Sequence, residues 1–509
     1  EDIPVTIIHT VEVASSGKYT LNCSGGTVVV NAGTWGGTSL TDSAESMTLK
    51  SGNPNITCSN SAILRDVKVK KIVVLFCFFV VAVAVFAENS DKEKTEFAIK
   101  ANFRGGQLIN SHESTRLIAP GPSWGGEIDI EFPSTRQYPW QQYFGDPTIG
   151  VGLVYMNLGA DVLGNCVAVY PYFLLPIINR PHFQFYWKAG VGLSFFDKHY
   201  WNCDTVRENY YTPQANPLIS SVVNVYLNTG LNVNFPIRDG WAVNAEFGYS
   251  HMSNGSVINP NLGINMMYGS IGASYTINKR DFVGKTKEKT FADLPYVWSL
   301  KFLASGGSCQ LDDMDNLSYP IASLRVGATY KVCNWYAVGG SLDAFFNAGY
   351  VRQGLDTICG ADGIVMSDIE NKLQQQHTHY DRYHITEDRL EDKFKVGLAL
   401  NNEFMLGRLT IMFDFGVYLW DPLRNQYEPE VNPKYGTNRP MFYTYNISEE
   451  DGWSYFRLGM RCRVWDNLAL SVAVKTHLQR AEFIEWGLAY DIPFMPKGNK
   501  GQGWKIYHY

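Results

Sequence analysis

The chain has 509 residues and a formal net charge of -6, with 45% hydrophobic, 14% aromatic and only 18% charged residues. The acidic balance offers no field for a nucleic-acid partner, and the apolar and aromatic content excludes a disordered chain. A mean hydropathy below zero is too polar for a bundle of membrane helices, whereas few charges with 46 Gly, 30 Tyr and 28 Phe suit strands and a membrane β-barrel.

Residues 1–66 are rich in Ser, Thr, Gly and Val, carry Cys23 and Cys58, and hold no motif that points to a chemistry. The segment Val67-Lys68-Val69-Lys70-Lys71 is basic, and Ile72 to Ala87 is a sixteen-residue apolar run. Val85-Phe86-Ala87 then places small residues just before Glu88. That order of basic, apolar and small residues predicts a secretory signal peptide over 67–87. The run is short for a bilayer-spanning helix, and a single-span anchor is the alternative. A signal peptide belongs at the start of a chain. Residues 1–66 are therefore expected to be an over-extended gene prediction or a fused fragment, with Val67 the true start. Cleavage after Ala87 retains Cys166, Cys203, Cys309, Cys333, Cys359 and Cys462. Export permits disulfides among them. Spacing does not fix a pairing, and none forms a CxxC metal or redox pair.

From residue 95 onward the pattern is that of strands. In Val223 to Phe235, Val223, Val225, Leu227, Leu231, Val233 and Phe235 share one face, and Asn224, Tyr226, Asn228, Gly230, Asn232 and Asn234 the other. Alternation sustained over more than ten residues marks a transmembrane β-strand, since ordinary strands run to about five or six. Comparable runs fall near 95–105, 122–132, 148–158, 166–176, 182–195, 219–235, 240–251 and 265–278. Their apolar faces carry residues such as Phe183, Phe185, Trp187, Val191 and Leu193. The opposite faces carry Lys100, Arg104, Glu127, Asp129, Lys188 and Glu246. Eight strands close a barrel whose lumen is filled by side chains. A soluble lipocalin-like barrel, with the apolar face inside, is the alternative that such long aromatic strands disfavour.

A basic linker follows, Asn278 to Lys289, with Lys279, Arg280, Lys285 and Lys287. The pattern then restarts near 296–305, 320–331, 335–345, 393–404, 407–419, 454–464, 467–478 and 481–493. Short connections at 331–335, 405–408 and 465–467 alternate with long ones at 346–392 and 420–453, as outer-membrane barrels are built. Polar faces here include Lys301, Arg325, Asp343, Asp414, Arg457, Arg461 and Glu485, charges that suit a structural plug rather than a conduction path. The predicted fold is all-β: two tandem eight-stranded antiparallel transmembrane barrels, over 88–279 and 295–509 with a linker at 280–294, behind a signal peptide. One sixteen-stranded barrel is the alternative.

The chemistry concentrates at one hairpin, FGYSHMSNGSVINPNLGIN over 247–265. Trp241, Val243, Ala245, Phe247 and Tyr249 face outward, and the same parity carries His251 and Ser253 outward. On the next strand Asn265, Met267, Ile271, Ala273, Tyr275 and Ile277 share that face. A His and a Ser at i and i+2 project from one side of a strand, close enough for the imidazole to take the hydroxyl proton. Loop ends also carry His, Ser and Asn for solubility alone, and the bare spacing does not separate the two readings.

The pattern His251-x-Ser253-Asn254-Gly255, then Pro260-Asn261-x-Gly263-Ile264 and the position of Asn265, resembles the lipid A 3-O-deacylase (PagL) family across about residues 95–279. The resemblance implies an eight-stranded outer-membrane barrel with a Ser-His-Glu triad on its lipid-facing exterior. It implies Ser253 as nucleophile and His251 as general base, with Asn254, Asn261 and the backbone amides near Gly255 and Ser256 as candidates to stabilise the oxyanion. It departs at one place: the family's Glu is Asn265 here. An Asn oxygen can hold the imidazole tautomer but cannot offset an imidazolium charge. Glu246 has the wrong parity to substitute, because it points to the lumen.

Thr476-His477-Leu478-Gln479 echoes Ser250-His251-Met252-Ser253, but Gln479 replaces the nucleophile. Leu468, Leu470, Val472 and Val474 set a parity that turns His477 inward with Lys475 and Glu485. His377-x-His379-x-Asp381-x-x-His384 has ligands a metal could use, set among Gln, Thr, Arg and Tyr that suit a solvated loop. There is no phosphate-cradling glycine loop. The reading carried forward is an exported outer-membrane esterase that removes the 3-O-linked acyl chain from lipid A of lipopolysaccharide, without cofactor, metal or nucleic acid. The other reading is a non-catalytic barrel with a degenerate site, serving in structure or surface attachment. Oligomeric state is not legible in the sequence.

Overall fold

A computed structural model describes residues 96–279 and 298–494, except 112, 135–140, 142, 201–215, 217, 311–317, 334, 352–388, 426–438, 446–450, 466 and 478–479. It also describes seven short strands before residue 59. The expected signal segment 67–87, the linker 280–294, Cys203, Cys359, Gln479 and the motif at 377–384 lie outside the described residues.

In the amino-terminal region β1 (Ile3–Val5), β2 (Val11–Glu12), β3 (Lys18–Cys23), β4 (Gly26–Asn31), β5 (Ser39–Leu40), β6 (Met47–Leu49) and β7 (Ile56–Cys58) form three small sheets, pairing β1 with β6, β2 with β5, and β3 with β4 and β7.

The first barrel comprises β8 (Phe97–Leu108), β9 (Ser123–Phe132), β10 (Thr148–Asn157), β11 (Asn165–Arg180), β12 (Phe183–Phe196), β13 (Val223–Arg238), β14 (Trp241–Ser253) and β15 (Ile264–Ile277). Each strand pairs antiparallel with the next, and β15 closes on β8 from Met266↔Leu108 to Ile277↔Phe97. The second comprises β16 (Trp298–Cys309), β17 (Tyr319–Cys333), β18 (Tyr336–Asn347), β19 (Phe394–Leu406), β20 (Leu409–Trp420), β21 (Ser454–Arg463), β22 (Leu468–Thr476) and β23 (Ala481–Phe494). Here β23 closes on β16, from Trp298↔Phe494. Two closures, each within its own set of eight, rule out the single sixteen-stranded barrel.

The strands are long because their alternation is long. Along β13 the Asn face is buried, whereas Leu227, Leu231 and Phe235 are exposed. Outward aromatic and aliphatic groups such as Phe103, Trp124, Phe247 and Ile271 are more than half exposed. An apolar belt on the outside and polar groups inside is the reverse of a lipocalin, and that alternative fails. The fold is two tandem eight-stranded antiparallel transmembrane β-barrels. The expected end of β11 at residue 176 is short by four, since the strand runs on to Arg180. Pro176 has no N–H to give the ladder, and the register shifts between Pro176 and Ile178 instead of ending there.

Side chains fill both lumens. In the first, Lys188 bridges Glu127 at 3.0 Å and Glu246 at 3.2 Å, and Arg104 lies 3.6 Å from Glu127. The Arg104 guanidinium also sits 3.3 Å from the centre of the Tyr268 ring. Tyr172 and Tyr170 lie across β10, where a Cβ at Gly150 or Gly152 would come within 2.6 Å of a ring carbon. In the second, Arg325 forks onto Asp343 with two 2.7 Å hydrogen bonds and reaches Asp414, while Arg457 pairs with Glu485. His477 is buried in the same lumen with Lys475, but the carboxylate they share is Glu482 and not the expected Glu485, with His477 Nε2 2.7 Å from Glu482 and Nδ1 2.9 Å from the Ser454 carbonyl. Cys166, Cys309, Cys333 and Cys462 are free thiols.

In the first barrel the segments 109–122, 158–164, 197–222 and 254–263 connect strands at one end. The opposite end has tight turns, such as Asp239-Gly240 with φ of 50° and 88°. Two positive φ values in a two-residue hairpin turn match the twist of the flanking strands. One longer connection, 133–147, shares that end.

Candidate active site

The site is built at the loop end of β14. Residues 241, 243, 245, 247, 249, 251 and 253 form the outward row of this strand, while the alternate residues are buried. The row is apolar until Tyr249 and then turns polar with His251 and Ser253. The β14–β15 ladder sets His251 directly opposite Asn265. Opposed residues on one face of an antiparallel pair have their side chains in contact range, and diagonal ones are reachable by long side chains. One strand thus supplies His251 and Ser253, and its neighbour supplies Asn265.

The three side chains form a chain of hydrogen bonds. His251 Nδ1 lies 2.7 Å from Asn265 Oδ1, and His251 Nε2 lies 2.9 Å from Ser253 Oγ. The Asn265 amide is oriented from both ends. Its Oδ1 accepts the Tyr249 hydroxyl proton at 2.6 Å, and its Nδ2 donates to Ser111 Oγ at 3.1 Å. With an acceptor facing Nδ1, the imidazole carries its proton there. The Nε2 lone pair is then left to accept the Ser253 hydroxyl. Glu246 is far from this chemistry, buried in the lumen with Lys188, Asn232 and Tyr268.

Past Ser253 the chain makes a tight turn. Gly255 and Ser256 have φ of 62° and 65°, and Val257 N–H donates to the Asn254 carbonyl at 3.4 Å. Among the described residues neither the Gly255 nor the Ser256 N–H meets an acceptor. The Asn254 side chain is buried and occupied. Its Nδ2 faces Ser220 Oγ, Ser221 Oγ and the Ile258 carbonyl at 3.1, 3.0 and 2.8 Å. Its backbone N–H donates to Asn261 Oδ1 at 3.1 Å. Asn254 and Asn261 therefore tie the loop to itself and to the 218–221 segment, leaving the backbone amides at 255 and 256 as the uncommitted donors.

Gly263 completes the floor. It has φ of 77°, its N–H donates to the Leu218 carbonyl at 2.9 Å, and a Cβ there would stand 3.0 Å from His251 Cε1. Only a residue without a side chain fits this backbone and this contact. Of these supports, Tyr249 was findable by parity, since it is i-2 of His251 on the same face. Ser111, Ser220 and Ser221 carry no local signal, because they reach the site through barrel closure and loop packing.

Residues 125–274 match the family model described as lipid A 3-O-deacylase (PagL). Residues 298–437 and 437–494 match the model described as acyloxyacyl hydrolase, C-terminal domain. No curated protein matches the chain. Among solved structures, the outer membrane enzyme PagL is 15% identical, over 35% of this chain and 99% of that one, with a TM-score of 0.22. Ail, the attachment invasion locus protein of Yersinia pestis, is 11% identical over 36% of this chain and 100% of its own, with a TM-score of 0.20. An engineered porin of Rhodopseudomonas blastica is 11% identical over 78% and 100%, with a TM-score of 0.15. The barrel architecture stands on the strand ladders and not on these likenesses.

Proposed function

Because the first barrel belongs to the lipid A 3-O-deacylase (PagL) family, we propose that the protein is an outer-membrane ester hydrolase that removes the 3-O-linked acyl chain of lipid A. The single observation that carries this reading is the hydrogen-bonded row Asn265–His251–Ser253 on the outward face. A site on the lipid-facing wall meets an acyl chain where that chain already lies, with no need to draw it into a filled lumen.

The proposed chemistry uses this geometry. Ser253 Oγ attacks the ester carbonyl carbon as its proton passes to His251 Nε2. The carbonyl π pair moves onto oxygen, where the N–H groups of Gly255 and Ser256 are the proposed donors. Collapse of the tetrahedral intermediate breaks the ester C–O bond, and the sugar alkoxide leaves with the proton from Nε2. Water then enters, gives its proton to Nε2 and attacks the acyl-Ser253 ester, releasing the fatty acid and restoring the hydroxyl. Asn265 holds Nδ1 throughout. It is neutral, so it orients the ring without countering the imidazolium charge.

Expression in a Gram-negative host tests the proposal by mass spectrometry of lipid A. The expected product is lipid A lighter by one 3-hydroxyacyl group with free fatty acid released, unchanged by the Ser253→Ala protein although that variant keeps its heat-modifiable barrel. Equal deacylation by Ser253→Ala would remove Ser253 as nucleophile. Intact lipid A from the parent protein would favour a non-catalytic barrel, the reading that Asn265 in place of a carboxylate supports.

A further inference from the structure

The segment that follows Ser253 is held from outside its own barrel. Ser256 Oγ donates to the Ala481 carbonyl at 2.8 Å, at the start of β23. Gln310, one residue beyond β16, makes three contacts with the same loop. Its N–H donates to the Ser256 carbonyl at 2.8 Å, its Oε1 accepts the Asn259 N–H at 2.8 Å, and its carbonyl accepts Asn259 Nδ2 at 2.9 Å. Gly255 lies against Ile484, and a Cβ on Gly255 would come 2.5 Å from Ile484 Cγ1. Ile484 stands on the outward row of β23, where Trp486, Leu488 and Tyr490 are exposed and Ile484 is only half-buried. At the opposite end, the Phe144 and Trp335 rings meet edge-on with centroids 5.9 Å apart.

We propose that the second barrel is a scaffold for the oxyanion loop of the first, with Gln310 as the positioning residue. This rests on the assignment of the 255 and 256 amides to the oxyanion. Ser256 is not a glycine, yet it holds φ at 65°, a conformation uncommon for residues with a side chain. Within its own barrel the loop is tied through Asn254 and Asn261, whereas the Ser256 carbonyl finds its partner in Gln310. The Ser256 carbonyl and the Asn259 amide supply the grips, and Gln310 takes both. Fixing that carbonyl fixes the 256–257 peptide plane, and with Ser256 Oγ on the Ala481 carbonyl and Gly255 against Ile484 it restrains the two peptides before it, whose N–H groups are the proposed donors. The second barrel, whose own histidine is buried in a lumen network, thereby has a task on the outward surface of its neighbour.

Gln310→Ala and Gln310→Glu in the full chain test this. The glutamate keeps an oxygen for the Asn259 N–H and the alanine does not; Gln310→Pro removes the backbone N–H that the Ser256 carbonyl accepts and should show the same changes as the alanine. In Gln310→Ala, amide hydrogen exchange over residues 254–263 should quicken and kcat for a micellar fatty-acid ester should fall about 10- to 100-fold, with KM little changed. Gln310→Glu should restore both. Exchange in β14 above the loop reports whether the barrel itself has been damaged, and it should stay at the parent level. Unchanged loop exchange in both Gln310→Ala and Gln310→Pro overturns the proposal, as does faster exchange with an unchanged kcat. If the parent protein hydrolyses no ester, the catalytic reading fails instead, and loop exchange alone decides whether the second barrel holds the loop.

Discussion

Asn265 is the residue on which the chemistry turns. Its oxygen takes hydrogen bonds from Tyr249 and from His251, and its amide nitrogen is spent on Ser111, so the imidazole tautomer is set with the proton on Nδ1. What it lacks is charge. Losing the acidic member of a triad costs up to about 10⁴-fold in serine proteases, although Asn serves in the cysteine version. At a poorly solvated lipid rim a paired charge is strongly felt. Asn265→Glu should therefore raise turnover, most at neutral pH and above where the carboxylate is ionised, and Asn265→Ala should lower it. Steady-state rates on refolded protein check both. A slower Glu variant beside an unchanged Ala variant would send the search for the orienting residue elsewhere on the outward face. Acid acts at the same ring. His251 accepts the Ser253 proton only when neutral, so the parent rate should fall in acid as the ring takes up a proton. A rate that holds in acid until the barrel itself unfolds would contradict the base assignment.

Among the elements, the β14–β15 hairpin and its loop carry the site, and they divide the labour. The strands supply position through register, with His251 opposite Asn265. The loop supplies a backbone shape that depends on Gly263, whose missing Cβ leaves room for the His251 ring 3.0 Å away. Gly263→Ala adds that Cβ on a backbone at φ 77°, so the loop, the ring or both must move. Misplacement of about 1 Å at a reacting centre costs on the order of 100-fold. The variant should lose most of its turnover while its barrel remains heat-modifiable in gel electrophoresis. Full activity would show that the imidazole tolerates a shifted floor and that the loop is looser than its contacts imply.

For the whole molecule, the lumens explain why two small barrels stand without a soluble core. Lys188, Glu127, Glu246 and Arg104 are fully buried and mutually paired. Removing one partner of such a pair leaves an uncompensated buried charge, typically at a cost of 3–5 kcal/mol. Lys188→Met should lower the free energy of unfolding by about that amount, read as a fall in the denaturant midpoint at unchanged slope. The outward row on β14 should keep its arrangement, so activity below the transition should persist. With both lumens filled, the protein should give no porin-like conductance steps in planar bilayers. Stable open channels would mean that the plugs do not persist in the membrane.

Much of this was determined by sequence alone, where the rules are local. A period of two fixes which side chains face out, so the sixteen strands and the outward placement of His251 and Ser253 were legible from residue spacing. The inward turn of His477 followed from the same parity. A proline usually interrupts a strand, yet at Pro176 the ladder shifts its register and β11 continues to Arg180. Only the tertiary structure decided that each set of eight closes on itself, since closure pairs β8 with β15 and β16 with β23 across most of each barrel's length. Only it brought Ser111 to Asn265, 154 residues apart in the chain, and Gln310 to Asn259, 51 apart. Parity says which face a side chain takes, but not which distant loop will meet it there. That depends on how barrels and loops pack, and packing leaves no period in the sequence.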